Sequence, residues 1–447
     1  VGVFLQVAAR NILLARRRTA LLGGALAMVT MLLVLLLALS AGLSDTIVRS
    51  ATTLSAGHVN VSGWHKLTSR DAAPIVMDAA NIRKIVEAET PGLDYVISRH
   101  RGWAKVVSEA TSLNSGLVGV NYAEEGRLIS QLQLAPTEEY KEGGDDTVLG
   151  DFAAIAEPNT AIVFAGQARR LEVGVGDVLT VSTETSDGQS NTGEVRIVAV
   201  AKDMGMLSNW SIFVPTQTIL DIYQLKPDTT GAIMVYLKDI DRASETMDAV
   251  RDIFIRHGFE VMEHNPVPFF MKFESVAGED WTGQKLDLTI WSDEVSFLQW
   301  VVTAVDTISV VLITVLLIII GVGIMNTMWI AVRERTGEVG TLRAIGMSRR
   351  RVLLMFLLEA LLLGFFATLV GAGLGAAIGL GVDAAQIHMP GAAVQAILMT
   401  DVLHLKVALG DVLGAIVVFT VLTGLSALPP AMRAARLEPV TAIHHIG

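Results

Sequence analysis

Long uncharged stretches interrupt an otherwise mixed pattern of polar and apolar positions. Thr19–Leu43 and Thr307–Val332 are uncharged runs of 25 and 26 residues, and Ala360–Val382 and Val412–Met432 add 23 and 21. Each clears the roughly 18–20 apolar residues that a bilayer core demands. The pattern predicts transmembrane helices at 19–43, 301–332, 352–382 and 412–432. The first could instead be a secretory signal, since it follows a basic start and contains Ala38-Leu39-Ser40-Ala41. A signal's apolar stretch is only about 7–15 residues, which favours a span. In residues 1–18, Phe4, Ala8, Ile12 and Ala15 fall on one helical face with arginines elsewhere, which suits a helix lying in the inner interface. A solvated basic tail is the plainer alternative.

Between the first two spans, residues 44–300 alternate between period-2 and period-3.6 patterns. Strands are expected at His58–Ser62, Tyr95–Ser98, Gly102–Val107 and Leu113–Val120, with a helix at Asp78–Glu89. Glu124–Asp151 is polar and glycine-bearing, hence loop or short helices. A second unit begins near Pro158 with strand Ala161–Phe164 and helix Ala165–Leu171. Its hairpin pairs Val178–Thr183 with Glu194–Ala201 across Ser186-Asp187-Gly188-Gln189-Ser190. Helix Pro215–Leu225 follows, then strand Ala232–Leu237, helix Arg242–His257 and strand Phe259–Glu263. Residues 266–300 read as a loop and a helix leading into the second span. A β-α-β at each end predicts a ferredoxin-like α+β subdomain interrupted by a β-rich insert at about 121–231. The fold class is therefore a four-span membrane protein with one large α+β domain between helices 1 and 2.

Composition and charge agree with this division. Of 447 residues 51% are apolar and 18% charged, and the net charge is −11. Residues 44–306 hold 21 basic and 38 acidic groups, against 13 and 7 elsewhere. So acidic a region is a poor nucleic-acid binder and suits a water-exposed domain. The basic excess lies in short flanks: Arg10 and Arg16–Arg18, six arginines in 333–351, and Arg433 and Arg436. Loop 383–411 has one lysine against three aspartates. By the positive-inside rule both termini and 333–351 are cytoplasmic, whereas 44–300 and 383–411 lie outside. The tail is then 433–447.

Soluble-enzyme chemistry is hard to find. There is no cysteine, which excludes thiolate nucleophiles, thiolate zinc sites and disulfides. No Gly-Lys dipeptide occurs, so the phosphate cradle G-x-x-x-x-G-K-[ST] is absent from these residues. H-E-x-x-H and G-x-S-x-G are absent too. His444-His445 reads as a polar tail, and Glu138-Glu139 and Asp145-Asp146 as a solvated loop. No catalytic or metal-binding residue is assigned.

The dense motif lies at Gly321–Gly375. Asn326-Thr327-Met328 closes the second span, followed by Arg333-Glu334-Arg335-Thr336-Gly337-Glu338-Val339-Gly340-Thr341-Leu342-Arg343-Ala344-Ile345-Gly346-Met347-Ser348. This resembles permeases of the MacB/FtsX/lipoprotein-releasing superfamily, the mechanotransmission type of ATP-binding-cassette transporter. Their inner loop carries N-x-M … E-R-x-x-E-I-G-x-x-R-A-x-G-A, from which Val339 and Met347 depart mildly. The resemblance implies a coupling helix in 333–351, with Arg333, Glu334, Arg335, Glu338, Gly340, Arg343 and Gly346 engaging a separate ATPase subunit. An ordinary basic loop that only fixes topology is the alternative. ATP and Mg would belong to two copies of that ATPase, and this chain would be a non-catalytic subunit without a cofactor of its own.

Glu359 lies two turns inside the third span, where an ionised group is costly and faces a partner or a cavity unless it snorkels. A packing contact is preferred over a proton relay, since the resembling family commonly has an acidic residue here. Gly371, Gly375 and Gly379 form a stripe that lets another helix approach closely.

Gly57-His58-Val59-Asn60-Val61, Gly119-Val120-Asn121, Gly166–Leu171 and Val175-Gly176-Asp177 look like the lipoprotein-releasing branch (LolC/LolE type). Ala8–Ile12 and Arg17-Arg18-Thr19 resemble the start of MacB efflux permeases. The first branch implies a homo- or heterodimer of permeases in a Gram-negative inner membrane that passes lipoproteins to a periplasmic carrier. Met28, Leu32, Leu36 and Asn326 would line the path of acylated cargo, alongside membrane lipid. The loop Met204, Met206, Leu207 and Trp210 is apolar for a surface connection, which points to a partner contact or to a core plug. The alternatives are a MacB-like exporter of peptides or small amphiphiles and an FtsX-like regulator of a cell-wall hydrolase.

Overall fold

The computed structural model describes residues 6, 8, 10, 16–68, 72–185, 188–204, 206–387 and 402–437. The chain forms two units, a membrane unit within 1–45, 302–388 and 402–447 and an extramembrane unit within 46–301. The reading of Phe4, Ile12 and Ala15 as an interfacial face lies outside the described residues, as do His444 and His445.

Four helices among the described residues are long and apolar enough to cross a membrane. The first runs Arg16–Ser50 and continues as one π-helical turn, Ala51–Ser55. The second is Gln299–Glu334, the third Arg349–Ala384 and the fourth Leu409–Arg436. The helices overrun the uncharged runs at several ends, the first continuing through Ser44–Ser50.

Small residues decide how the spans pack. A Cβ placed on Gly371 would lie 2.2 Å from the Ala27 carbonyl oxygen, and one on Gly375 would lie 2.9 Å from that of Met31. The first and third helices thus meet backbone to backbone along this stripe, where side chains would hold them apart. Gly379 abuts Val407, and Gly364 packs against Thr423 of the fourth span. Val34, Ile324, Phe356 and Phe419 share one apolar core. The second span is the least covered, with 17% of its most apolar window buried against 44% for the third.

The extramembrane unit contains β1 (Val59–Lys66), β2 (Val76–Met77), β3 (Leu93–Val107), β4 (Ser112–Val120), β5 (Thr160–Phe164) and β6 (Val178–Glu184). It continues with β7 (Ser190–Ala201), β8 (Ser211–Pro215), β9 (Thr229–Thr230), β10 (Ala232–Leu237) and β11 (Gly283–Ile290). Nine of these form one sheet in the order β11-β1-β10-β3-β4-β8-β5-β7-β6.

The first four are antiparallel throughout, with helices Ala79–Glu89 and Ala243–Arg256 as the crossovers, which is the ferredoxin-like arrangement. Their core is Val59, Val61, Ile82, Val86, Val235, Val250, Phe254 and Leu288. At the other end β6 returns to pair with β3, through Lys105–Val107 and Thr180–Ser182. The strands β3-β4-β8-β5-β7-β6 therefore close on themselves into a six-stranded barrel, which leaves that part of the sheet without a bare edge. Val106, Leu117, Val163, Leu179, Ile197 and Val214 fill it.

Three expectations are corrected here. Phe259–Glu263 is no strand, only a single bridge from Val261 to Leu286. The fourth strand of the ferredoxin-like part is Gly283–Ile290, inside the stretch read as loop and helix. Its charges disguise it: Asp287 is buried because Lys272 donates to both its carboxylate oxygens at 2.8 Å. Tyr95–Ser98 and Gly102–Val107 are also parts of one 15-residue strand, which pairs with β10 over its first half and β4 over its second.

Candidate functional site

The second span ends where Arg335 leaves helical geometry at φ −108°, ψ 18°. A nine-residue helix, Thr336–Ala344, follows. It stops because Gly346 takes φ +102°, a left-handed conformation that glycine adopts without steric cost. Met347 N–H donates to the Leu342 carbonyl at 3.0 Å and Gly346 N–H to that of Arg343 at 3.1 Å, the paired bonds of a Schellman cap. Ser348 is extended, and the third span begins at Arg349.

This helix has two faces. Val339 and Gly340 are buried, and Val339 joins the apolar core of the spans with Leu342 and Met347 packed beside it. Glu338, Thr341 and Ile345 face solvent, Ile345 with 80% of its surface exposed. Ile345 is thus an exposed aliphatic side chain on the face that carries Glu338. Sequence reading did not single out Ile345, although its spacing from Glu338 and Thr341 was visible.

Arg335 ties the helix to the third span. Its Nη1 donates to Glu359 Oε2 and its Nε to Glu338 Oε2, each at 3.0 Å. Glu359 is 5% exposed and does not snorkel, so the buried carboxylate has its cation from the loop. Arg343 Nη1 donates to the Met347 carbonyl. The guanidinium of Arg433, on the fourth span, lies 5.2 Å from the Trp329 ring of the second. Arg333 and Glu334 are exposed. The short helix is thus clamped to the bundle on one side and open on the other.

The FtsX-like permease C-terminal model matches residues 310–439. The model of the MacB-like periplasmic core domain matches 19–253, more than half of the chain. The chain belongs to the MacB/FtsX-like permease family. A macrolide export ATP-binding/permease protein MacB of Nitrobacter winogradskyi is 33% identical over 216 residues, 48% of this chain and 28% of that protein. A pyoverdine export ATP-binding/permease protein PvdT of Pseudomonas fluorescens is 35% identical over 127 residues, 28% of this chain and 17% of its own length. The matched part of the chain therefore spans between about a sixth and just over a quarter of these relatives' lengths. The periplasmic region of MacB from Actinobacillus actinomycetemcomitans covers 55% of this chain and 94% of its own, with 10% identity and a TM-score of 0.30.

In this MacB/FtsX-like permease the remaining expected site residues are dispersed. Met28 and Leu32 are exposed on the first span, Leu36 is half-buried and Asn326 is exposed on the second. The side chains of Met206 and Leu207 lie outside the described residues. Met204 is half-buried. Trp210 is 40% exposed and stacks on Phe297 with ring centroids 5.2 Å apart, so it is neither a buried plug nor a free surface anchor.

Proposed function

We propose that this chain is the membrane subunit of an ATP-driven exporter of amphiphilic molecules in an inner membrane, with the termini and Thr336–Ala344 on the cytoplasmic side. An ABC ATPase, holding ATP and Mg, would grip the exposed face formed by Glu338, Thr341 and Ile345. Closure of two such ATPases would push the helix, and the Arg335 bridge to Glu359 would pass that movement to the third span. The observation that carries this reading is the short helix itself, seated through Val339 on the membrane core and open at Glu338 and Ile345. The basic flanks Arg333–Arg351 and Arg433–Arg436 support the orientation. A second permease copy would cover the sparsely packed second span.

Export is preferred to lipoprotein release because the relatives named above are export proteins by description. The lipoprotein reading, with a periplasmic carrier as acceptor, rests on short stretches such as Gly119-Val120-Asn121. Mass spectrometry of acylated peptides co-purifying with the intact complex separates the two. The test of coupling is Glu338→Lys in vesicles containing the chain and its ATPase. Insertion should persist while cargo-stimulated ATP hydrolysis is lost, and unchanged hydrolysis and transport would refute the proposal.

A further inference from the structure

The extramembrane unit contains an apolar cavity of about 110 Å³ bounded by residues far apart in sequence. Its walls include Trp103, Trp210, Phe269, Phe270, Phe297 and Met234. Trp103, Trp210 and Phe270 are 60%, 40% and 42% exposed, high values for large aromatic side chains. The Phe297 ring packs edge-on to Phe270 at 5.9 Å as well as against Trp210.

The same cavity is lined by two ionisable groups that the coupling machinery does not use, Arg101 and Glu294. Their side chains are 7% and 4% exposed. Arg101 Nη2 donates to the Ser55 carbonyl at 3.1 Å, and its guanidinium lies 4.7 Å from the Phe269 ring. Arg101 Nη1 makes no hydrogen bond, and its approach to Glu294 Oε2 is 3.7 Å. Glu294 Oε1 is taken by the Thr289 hydroxyl at 2.8 Å. Burial raises the Glu294 carboxyl above its usual range and lowers the Arg101 guanidinium below its own, so the long ion pair does not offset desolvation. By contrast Arg99, two residues away on the same strand, has every charged nitrogen hydrogen-bonded.

A buried donor without an acceptor is unfavourable, and a ligand oxygen would relieve it. Aromatic walls supply contact area to one ring or a short acyl segment, the size the cavity takes, and the half-exposed rim of Trp103, Trp210 and Phe270 leaves the rest of a larger molecule outside. A carboxylate ligand would face Glu294 as a like charge, and a ligand cation would face Arg101. We propose that this cavity binds a neutral aromatic or acyl amphiphile whose carbonyl oxygen accepts from Arg101. The proposal deepens the export reading by giving the cargo class a place in the extramembrane domain. Binding is read without ATP hydrolysis, so it can fail while coupling stands, and the reverse.

Benzophenone, a neutral aromatic ketone, serves as photoprobe and ligand on the full chain in nanodiscs, with adducts mapped by mass spectrometry. Labelling should concentrate on Met234, Phe270, Phe297 and Trp210. Fluorenone should suppress it at concentrations roughly tenfold lower than fluorene, which has the same ring frame without the carbonyl. Arg101→Gln should abolish the difference between the two competitors. Should that variant misfold, Phe270→Ala changes a half-exposed wall residue and should weaken labelling by roughly an order of magnitude at unchanged melting temperature. Adducts confined to the spans, equal competition by the two compounds, or full labelling of folded Phe270→Ala would overturn the proposal.

Discussion

Two arginines, one in each unit, hold a nearly buried glutamate in different ways. Arg99 meets Glu125 through two nitrogens at 2.6 and 2.7 Å and spends the third on the carbonyls of Thr53 and Leu54. Both side chains are at most 3% exposed. Arg335 divides itself between Glu338 and Glu359, one 3.0 Å contact each, and keeps 20% of its side chain exposed. The forked, fully satisfied pair fixes one geometry. The divided one has an inner partner on the bundle and an outer partner, 68% exposed, on Thr336–Ala344, so it can trade one contact for the other. A staple in the extramembrane domain and a clasp at the end of the second span are built from the same chemistry.

The comparison breaks most visibly if Glu125→Ala is mild. Removing the carboxylate strands a buried guanidinium, and we expect a loss of about 3–5 kcal/mol, read by chemical unfolding of the full chain. Arg335→Ala should cost less, about 2–3 kcal/mol, because the site is partly open to water. It should also remove cargo-stimulated ATP hydrolysis, and Arg335→Ala with Glu359→Gln should recover stability without recovering coupling. Gly346→Val forces a β-branched residue to φ +102° and should cost about 1–2 kcal/mol, with fraying of Thr336–Ala344 visible in hydrogen exchange. Glu338→Lys should shift stability by no more than about 0.5 kcal/mol while abolishing coupled hydrolysis, since its carboxylate is largely solvated.

The last expectation concerns pH. Burial lowers the His100 pKa, and its Nε2 lies 2.7 Å from the Thr229 carbonyl oxygen. The folded chain thus holds its proton less tightly than the unfolded one does. Stability from the neutral ring is complete above the ordinary histidine range and declines as pH falls through that range towards the lowered value. The extramembrane domain should melt at a lower temperature at pH 5.5 than at 7.5 by near-ultraviolet circular dichroism. His100→Asn should flatten the difference.

What could be read from sequence follows from range. Four spans were legible because a bilayer imposes a long local signal. Gly371 and Gly375 were legible as a stripe, but not that it meets Ala27 and Met31. The strand Gly283–Ile290 was missed because Gln284, Lys285 and Asp287 look like surface. Only the partner Lys272, placed by tertiary folding, makes Asp287 tolerable inside. Closure of the barrel by β6 onto β3 joins residues some 75 positions apart and leaves no mark in local periodicity. The Arg335–Glu359 contact and the aromatic cavity are likewise products of assembly.

One consequence follows from β3. Its 15 residues extend roughly 50 Å, entering the ferredoxin-like sheet at one end and leaving through the barrel at the other without a break. The two halves of the extramembrane domain have a common spine there, with no linker at which either could swing alone. A twist imposed on the four-stranded half is therefore carried into the barrel as rotation of one body, and flexing at the junction would require hydrogen bonds on both sides of the strand to part together.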